Sequence, residues 1–283
     1  MAEPFGMIVP VYNEAALLPA TVPMLLHGLP ASVRPIYICN GCTDGSADLI
    51  RTLAGERATV LETPVASKAL AIRLGELHAG GCFPRFFIDA DLLIEGSALA
   101  HLADVLASGE ADLVSPRLRF DTAASSPAVR AAFRAWQRTP YAREAFQGVL
   151  GVSAAGRAGW GAFPELICDD SFILSQIPPS RRRLVESAVA VARAPRTAAA
   201  FLGTLTRMEA GLIHLDALRL RPRSPGQRRA LLAMVAAGPG RGDALAFLTF
   251  KLLARLRSRF GNRPRWYTDR TSRAPAEPAP GAG

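Results

Sequence analysis

Short apolar runs alternate with helical patterns through residues 5–106, and this alternation restricts the possible folds more than any other feature of the sequence. The runs GMIVPVY, PIYIC, ATVLE and RFFID are typical of buried strands, and helical patterns separate them over residues 15–26, 46–53 and 67–78. Parallel strands need crossover connections of this kind. The sequence therefore predicts an α/β fold with a mostly parallel, Rossmann-like sheet that is flanked by helices.

The middle of the chain is less regular. Residues 117–147 are polar, Arg-rich and helical in pattern, and we expect this segment to face the substrate. The backbone can approach a ligand closely or turn sharply in the next stretch, which has glycines at positions 148, 151, 156, 159 and 161. A strand over RRRLVESAVAVAR and helices over 197–214, 226–236 and 243–260 complete the predicted elements.

The formal charge of +9 is concentrated near the C-terminus. Residues 1–216 hold 19 Lys and Arg against 21 Asp and Glu, whereas residues 217–283 hold 14 against 3. This asymmetry excludes a nucleic-acid coat over the whole protein and indicates one basic region that lies near an acidic surface or a phosphate.

The predicted helix 243–260 is amphipathic. It has a leucine-rich stripe, formed by Leu245, Leu248, Leu252, Leu256 and Phe260, and a basic stripe, formed by Lys251, Arg255 and Arg259. Docking on an anionic membrane surface accounts for this pattern, and so does packing of the leucine-rich stripe against the rest of the protein. Nucleic-acid binding fits less well, because no aromatic residues are interleaved with the basic ones.

The four cysteines are predicted to be unpaired thiols. Cys39 and Cys42 form a C-x-x-C within the turn sequence NGCTDG, and no second pair of cysteines completes a zinc site. The N-terminal residues MAEPFGMIVP lack the charged-then-apolar order of a secretory signal, and no uncharged apolar stretch approaches the ~18 residues that span a bilayer. We therefore expect a cytoplasmic location.

Two aspartates follow the strand RFFI directly. Asp89 and Asp91 are separated by one alanine and stand at the carboxyl end of a buried strand, where ligands gather in α/β proteins. Hard divalent cations prefer oxygen ligands and take one or two protein carboxylates beside phosphate and water. A Mg²⁺ or Mn²⁺ site is one interpretation, and a solvated acidic turn or a cap on the next helix is the other.

Three other segments have polar residues at comparable positions. PVYNE ends the first strand, NGCTDGS follows the second strand, and Lys68 begins the helix that precedes the D-x-D strand, where it is placed to meet a phosphate or a base. Ordinary turn, capping or surface roles account for each of them singly. A second acidic pair, Asp169 and Asp170, opens a later helical stretch.

In this order, the segments resemble the family 2 glycosyltransferases, which have the GT-A nucleotide-sugar fold. PVYNE at 10–14 is similar to the family's P-x-Y-N-E, NGCTDGS at 40–46 to its D-x-S-T-D-x-S turn, and SKALAIRLGE at 67–76 to its K-G-x-A segment. DAD at 89–91 resembles its D-x-D motif, and CDDSFIL at 168–174 resembles the segment that supplies the catalytic base. The resemblance covers about residues 5–215.

The resemblance implies a role for each matching residue. The nucleotide would be bound by Pro10, Tyr12, Glu14 and Asn40, with Lys68 and Arg207 near its phosphates. Asp91 would bind the metal, and Asp89 would bind the ribose or a metal-bound water. His214 is a candidate third metal ligand, although a lone histidine on a partly apolar helix is more often structural. Arg196 and Arg207 suit diphosphate binding, but a solvated helix face accounts for them nearly as well.

The resemblance also implies an activity. The chain would move a sugar from a nucleotide-diphosphate sugar to an acceptor hydroxyl with inversion, using Mg²⁺ or Mn²⁺, with Asp170 as general base. Asp169 is the alternative base, or a helix cap. Cys39 stands where the family often has an aspartate that contacts the nucleobase, so the donor nucleotide is not fixed by the motif.

Two other functions compete with this one. A sugar-1-phosphate nucleotidylyltransferase would need a Gly-rich, basic loop after the first strand, and PVYNEAALLP has neither feature. A noncatalytic nucleotide-binding protein of glycosyltransferase descent remains open because of Cys39.

The expected organisation follows from these assignments. Residues 1–216 form the GT-A catalytic domain, with a nucleotide-binding half over about 1–116 and an acceptor-side half over 117–216. A basic helical extension covers 217–262 and a disordered tail covers 263–283. The expected partners are the nucleotide-sugar donor and a glycan, lipid-linked or small-molecule acceptor. The C-terminal helix could touch the inner face of a membrane, and nucleic acid is not expected.

Overall fold

One eight-stranded sheet forms the centre of the computed structural model, which describes residues 4–139, 142, 146–220, 229, 232–233, 235, 240–260 and 271–273. The strands are β1 (Gly6–Val11), β2 (Ile36–Asn40), β3 (Thr59–Thr63), β4 (Arg85–Ile88), β5 (Leu92–Leu93), β6 (Leu113–Asp121), β7 (Val149–Val152) and β8 (Arg182–Arg193). Their order across the sheet is β3-β2-β1-β4-β7-β6-β8-β5. Strands β1 to β4 are parallel, as are β6 and β8, whereas β7 and β5 run antiparallel to their neighbours. The predicted mostly parallel α/β sheet is confirmed.

Helices cover both faces of this sheet. They are α1 (Leu18–Leu26), α2 (Ser46–Ala54), α3 (Lys68–Ala79), α4 (Gly96–Ala107), α5 (Pro127–Gln137), α6 (Ala154–Arg157), α7 (Asp169–Gln176), α8 (Ala198–Ala217) and α9 (Arg241–Phe260). Single-turn 3₁₀ helices lie at Gly55–Arg57 and Pro179–Arg181.

Strand β1 lies between β2 and β4 and is buried along its whole length. Met7 and Val9 pack into a hydrophobic cluster with α1, α2 and α4, whereas Ile8 packs into a second cluster with α3. A strand that is covered on both faces has a nearly continuous apolar sequence, which explains the run GMIVPV. The polar segments that follow β1, β2 and β4 therefore meet at one edge of the sheet.

Strand β7 was not predicted from the sequence. It lies between β4 and β6, and Gly151 on β7 packs directly against Phe86 on β4. A Cβ atom on Gly151 would lie 2.4 Å from Phe86 Cε1, so only glycine permits this approach. This close packing leaves no room for a side chain at position 151. With glycines at positions 148 and 151, the segment lacks the alternation of apolar and polar residues that is typical of a strand.

The segment 117–147, which its pattern predicts to be helical, begins as a strand. Strand β6 continues to Asp121 after a bulge between Pro116 and Arg117, and α5 follows it. Phe133 on α5 is buried in a third hydrophobic cluster with residues of α8 and α9, including Phe201 and Phe247. Helix α5 is therefore a packing element.

Helix α9 packs on α5 and α8 through a face that the sequence pattern did not single out. The buried residues of this face are Ala244, Phe247, Ala254 and Ser258. Lys251 and Arg255 of the basic stripe pair with Glu209 of α8, which is 4% exposed. Of the two interpretations of the leucine-rich stripe, packing against the rest of the protein does not fit, because four of the five residues are exposed: Leu245, Leu252, Leu256 and Phe260.

Some C-terminal expectations fall outside the described residues. The helical pattern at 226–236 is described only at four of its positions, and most of the tail 263–283 is not described. Residues 271–273 of that tail are described and form a turn that contacts Arg196 and Glu14. In the described part of the chain, no helix is both long and apolar enough to cross a membrane.

The packing of α9 predicts unequal effects for two phenylalanines on this helix. Phe247 is 3% exposed and Phe260 is 83% exposed. Phe247→Ala should lower the free energy of unfolding by roughly 3–5 kcal/mol, because it opens a cavity between three helices. Phe260→Ala should change it by less than about 0.5 kcal/mol. Urea unfolding followed by far-UV circular dichroism measures both values, and equal effects would show that α9 does not share the hydrophobic core.

Candidate active site

The loops after β1 and β2 are joined by hydrogen bonds. Asn40 donates from Nδ2 to the carbonyl of Val11 at 2.7 Å, and the amide of Thr43 donates to Asn13 Oδ1 at 2.8 Å. Asn13 has a φ of 53°, which is uncommon for a residue other than glycine. The segments PVYNE and NGCTDGS thus form one rigid wall at the edge of the sheet.

Asp44 fixes the same wall from the second loop. Its carboxylate accepts hydrogen bonds from the amide of Ala15 at 2.9 Å and from the hydroxyl of Ser46 at 2.6 Å. Ser46 in turn accepts from the amide of Glu14 at 3.0 Å. The turn residues of NGCTDGS therefore hold the backbone of Glu14 in place.

Glu14 is the most strongly perturbed carboxyl group of this wall. Its side chain is buried, and Oε2 has no hydrogen-bond partner among the described residues. Burial raises the pKa of Glu14 to about 9, the charge of Asp91 adds to this shift, and the guanidinium of Arg273 opposes it. Arg273 donates a hydrogen bond to Oε1. Sequence reasoning missed Arg273, because it stands in a Pro- and Ala-rich segment without a motif.

Lys68 connects the two acidic pairs. It opens α3, and its Nζ lies 2.6 Å from Asp89 Oδ1 and 2.7 Å from Asp169 Oδ2. Burial works against the charged ammonium, but the carboxylates of Asp169 and Asp89 outweigh it and hold the pKa of Lys68 well above its usual range. Asp89 after β4, Lys68 on α3 and Asp169 on α7 are far apart in the sequence, yet they meet in one cleft.

Asp89 and Asp91 follow the last residue of β4. The amide of Asp89 donates to the carbonyl of Gly148 at 2.8 Å, which fixes the start of the acidic turn. Burial raises the pKa of Asp91, and the neighbouring charge of Asp89 raises it further. Two carboxylates that disfavour each other's charge suit a divalent cation.

A cation fits this donor set chemically. Asp89 and Asp91 supply carboxylate oxygen atoms, which Mg²⁺ and Mn²⁺ prefer. Across the described ranges, no three His, Cys, Asp or Glu side chains converge closely enough to hold a metal by themselves. This agrees with a cation that takes one or two protein carboxylates and completes its shell from a diphosphate and water.

The two residues of the second acidic pair, Asp169 and Asp170, have different partners. Asp169 is buried and bound to Lys68, whereas Asp170 Oδ2 accepts a hydrogen bond from the amide of Gly148 at 3.1 Å. Burial raises the pKa of Asp170 well above its usual range, and the charges of Asp169 and Asp89 contribute. Gly148 has a φ of 70°, so a glycine is favoured at the position that joins both acidic pairs. Its glycine-rich surroundings were the only sequence signal of this role.

Helix α8 places Arg207 near the second pair and His214 away from it. Burial raises the pKa of Cys168, which directly precedes Asp169, to about 12, and the nearby charge of Arg207 opposes this shift. The buried Nε of Arg207 has no partner among the described residues. His214 is exposed two turns farther along α8, about 10 Å away. The predicted ligand set of Asp89, Asp91 and His214 is therefore not assembled in the described part of the chain.

Cys39, the position at which the motif departs from the family, is buried in β2. The four cysteines are free thiols, as predicted. A hydrogen bond to Cys42 and burial raise the pKa of Cys39, and the same contact lowers the pKa of Cys42 to about 7. Cys42 also donates to the carbonyl of Val11 at 3.3 Å. The thiols thus reinforce the wall between the two loops.

The chain was compared with known proteins. The family model described as Glycosyl transferase family 2 matches residues 7–163, which is more than half of the chain. No curated protein matches. Among solved structures, the chain is similar to the mannosyltransferase PcManGT from Pyrobaculum calidifontis in complex with GDP-Man and Mn²⁺, with 21% identity, a TM-score of 0.65, and coverage of 90% of this chain and 87% of that chain.

A second similar structure is S. aureus TarS 1-349 in complex with UDP-GlcNAc, with 12% identity, a TM-score of 0.52, and coverage of 90% of this chain and 91% of that chain. At these identities, the structural similarity shows the fold, which is of the GT-A type. The family match extends over the loops after β1, β2 and β4 and over Lys68. The chain therefore belongs to glycosyl transferase family 2 and is a glycosyltransferase.

Proposed function

We propose that this protein transfers a sugar from a nucleotide-diphosphate sugar to an acceptor hydroxyl, with inversion and with a divalent cation. The observation that carries the proposal is the Lys68 bridge, which brings the D-x-D aspartates and the second acidic pair into one cleft. A single displacement needs these two groups of carboxylates on opposite sides of the reacting carbon. PcManGT, which shares the fold, was solved with GDP-Man and Mn²⁺.

The cation is assigned to Asp91 and Asp89. When bound there, it would neutralise charge on the departing diphosphate. Asp91 is the main ligand, because Asp89 is already paired with Lys68. His214 is left out of this assignment, since the described residues do not bring Asp89, Asp91 and His214 together as one group of ligands.

Asp170 is proposed as the general base. The acceptor oxygen attacks the anomeric carbon, the bond from that carbon to the diphosphate oxygen breaks, and the acceptor proton passes to Asp170. Asp169 is less suited to this role because Lys68 holds its carboxylate at 2.7 Å. A raised pKa makes the ionised Asp170 a stronger base than an ordinary carboxylate.

The nucleotide is assigned to the wall formed by the loops after β1 and β2. Pro10 and Asn40 are buried and shape this wall, Tyr12 is half-buried beside them, and Glu14 and Asn40 each have a buried oxygen without a partner among the described residues. Donor hydrogens of a ribose or a base would satisfy these oxygens. Arg207, with its unpartnered Nε, is assigned to the diphosphate.

The exposed leucine-rich stripe of α9 is assigned to an anionic membrane surface, with a lipid-linked acceptor as the corresponding substrate. Leu252 is 59% and Phe260 83% exposed, and Arg257 and Arg259 are exposed on the same helix. An apolar stripe with flanking arginines complements anionic lipid. The excess of basic residues after residue 216 supports the same partner.

The cation assignment predicts metal-dependent stabilisation by nucleotides. Thermal unfolding should be measured with UDP, GDP and dTDP sugars, each with and without Mn²⁺. The matching nucleotide should raise the midpoint by roughly 5 °C at about 100 times its Kd, and only with Mn²⁺. Asp91→Asn should abolish the Mn²⁺-dependent part, whereas Asp104→Asn, at an exposed position on α4, should keep it. The proposal fails if no nucleotide gives a metal-dependent shift.

The base assignment predicts a difference between two neighbouring aspartates. Asp170→Asn should lower kcat by about 10²–10⁴-fold with little change in donor binding. The wild-type kcat/KM should fall as the pH drops through the pKa of Asp170. Asp169→Asn removes a charge that raises this pKa, so the acidic limb should move to lower pH. An unchanged kcat for Asp170→Asn would instead favour the noncatalytic alternative.

The membrane assignment predicts binding to vesicles that contain phosphatidylserine but not to pure phosphatidylcholine vesicles. Leu252→Ser combined with Leu256→Ser should weaken co-sedimentation of the full chain by about tenfold or more. Leu77→Ser, at a position that is 80% exposed on α3, serves as the control. Equal pelleting of all three proteins would remove the membrane assignment.

A further inference from the structure

The C-terminal turn, residues 271–273, reaches the candidate donor cleft from the far end of the sequence. Thr271 Oγ1 accepts a hydrogen bond from the amide of Arg196 at 3.0 Å, just before α8 begins. Two residues later, Arg273 contacts Glu14, which is 259 positions away in the sequence. The turn thus connects the start of α8 to the wall that is formed after β1.

The guanidinium of Arg273 lies among the carboxylates of this cleft. It donates from Nη2 to Glu14 Oε1, and its side chain is 17% exposed. Its charge also acts on Asp91, the proposed cation ligand. Arg273 therefore faces both the nucleotide wall and the D-x-D turn.

A diphosphate in this cleft would need cationic partners, and Lys68 is already committed. Its ammonium bridges Asp89 and Asp169 at 2.6 and 2.7 Å. Arginine carries five N–H donors in a planar fork that matches phosphate oxygens. Glu14 is the hydrogen-bond partner that the described residues give Arg273, and this contact uses one of those donors.

We propose that Arg273 is a donor-binding residue that contacts the diphosphate of the nucleotide sugar. The inference rests on the proposed function, since it takes a nucleoside diphosphate as the ligand of the cleft. Without donor, Glu14 holds the guanidinium at the site, and this contact pre-positions it. With donor and cation bound, the cation would supply the counter-charge that Arg273 supplies to the carboxylates without donor, and the fork of Arg273 would be free to donate to the phosphate oxygens.

In the opposite role, Arg273 would block the cleft and compete with the cation. Replacing Arg273 would then strengthen nucleotide binding instead of weakening it. Calorimetric titration of the full chain with GDP and with UDP, in the presence of Mn²⁺, separates the two roles. Arg273→Gln should lower the affinity for whichever of these nucleotides the wild type binds by about 10- to 100-fold. Arg273→Lys should show an intermediate loss, because an ammonium keeps the charge but lacks the fork. Unchanged or tighter binding by Arg273→Gln overturns the proposal.

Two controls exclude indirect effects. Arg34→Gln removes the same charge at an exposed position just before β2 and should leave the affinity unchanged. Arg273→Gln also leaves Glu14 unpaired, so the comparison is repeated in a Glu14→Gln background, where the same loss is expected. A loss that disappears in that background would mean that Glu14 alone causes it, and this overturns the proposal.

Nucleotide binding by the wild type distinguishes a failure of the proposed function from a failure of the role proposed for Arg273. Failure of the wild-type protein to bind GDP, UDP or dTDP with Mn²⁺, in this titration or in the thermal-unfolding screen, overturns the proposed function, and the role of Arg273 falls with it. Binding by the wild type together with equal binding by Arg273→Gln overturns only the role of Arg273.

Discussion

The site depends on one ammonium group that is shared by two carboxylates. Lys68 holds Asp89, which follows β4, and Asp169, the first residue of α7. Asp91 and Asp170 stand beside them, so several like charges lie in one partly buried cleft. Without a cation between them, these carboxylates would repel one another and lose hydration without compensation. The position of Lys68 at the first turn of α3 is therefore the constraint on which the geometry of the acidic pairs depends.

The antiparallel strand β7 adds the second constraint. Gly148, the residue before β7, accepts a hydrogen bond from the amide of Asp89 and donates one to Asp170, so a single residue spaces the two acidic pairs. This arrangement gives the carboxylates different environments. Asp169 is held by the ammonium of Lys68, whereas Asp170 accepts a hydrogen bond from a backbone amide, and burial raises the pKa of Asp170 well above its usual range. Such a difference separates a structural carboxylate from one that can exchange a proton.

The C-terminal region is integrated with the rest of the fold. Helix α9 uses Phe247 and the Lys251–Glu209 pair to pack on α5 and α8, and it leaves its leucine-rich stripe exposed. The turn at 271–273 then reaches Glu14. A helix with two apolar faces can bury one and leave the other exposed. The sequence pattern alone does not show which of the two faces is buried.

The sequence by itself determined the alternation of strands and helices, the mostly parallel sheet and the set of polar segments at its carboxyl edge. Those features follow from local periodicity and from the adjacency of parallel strands. Only the tertiary structure decided that Gly151 belongs to a strand, that Lys68 bridges Asp89 and Asp169, and that Arg273 faces Glu14. Each of these depends on contacts between residues distant in the chain, for which local pattern carries no signal.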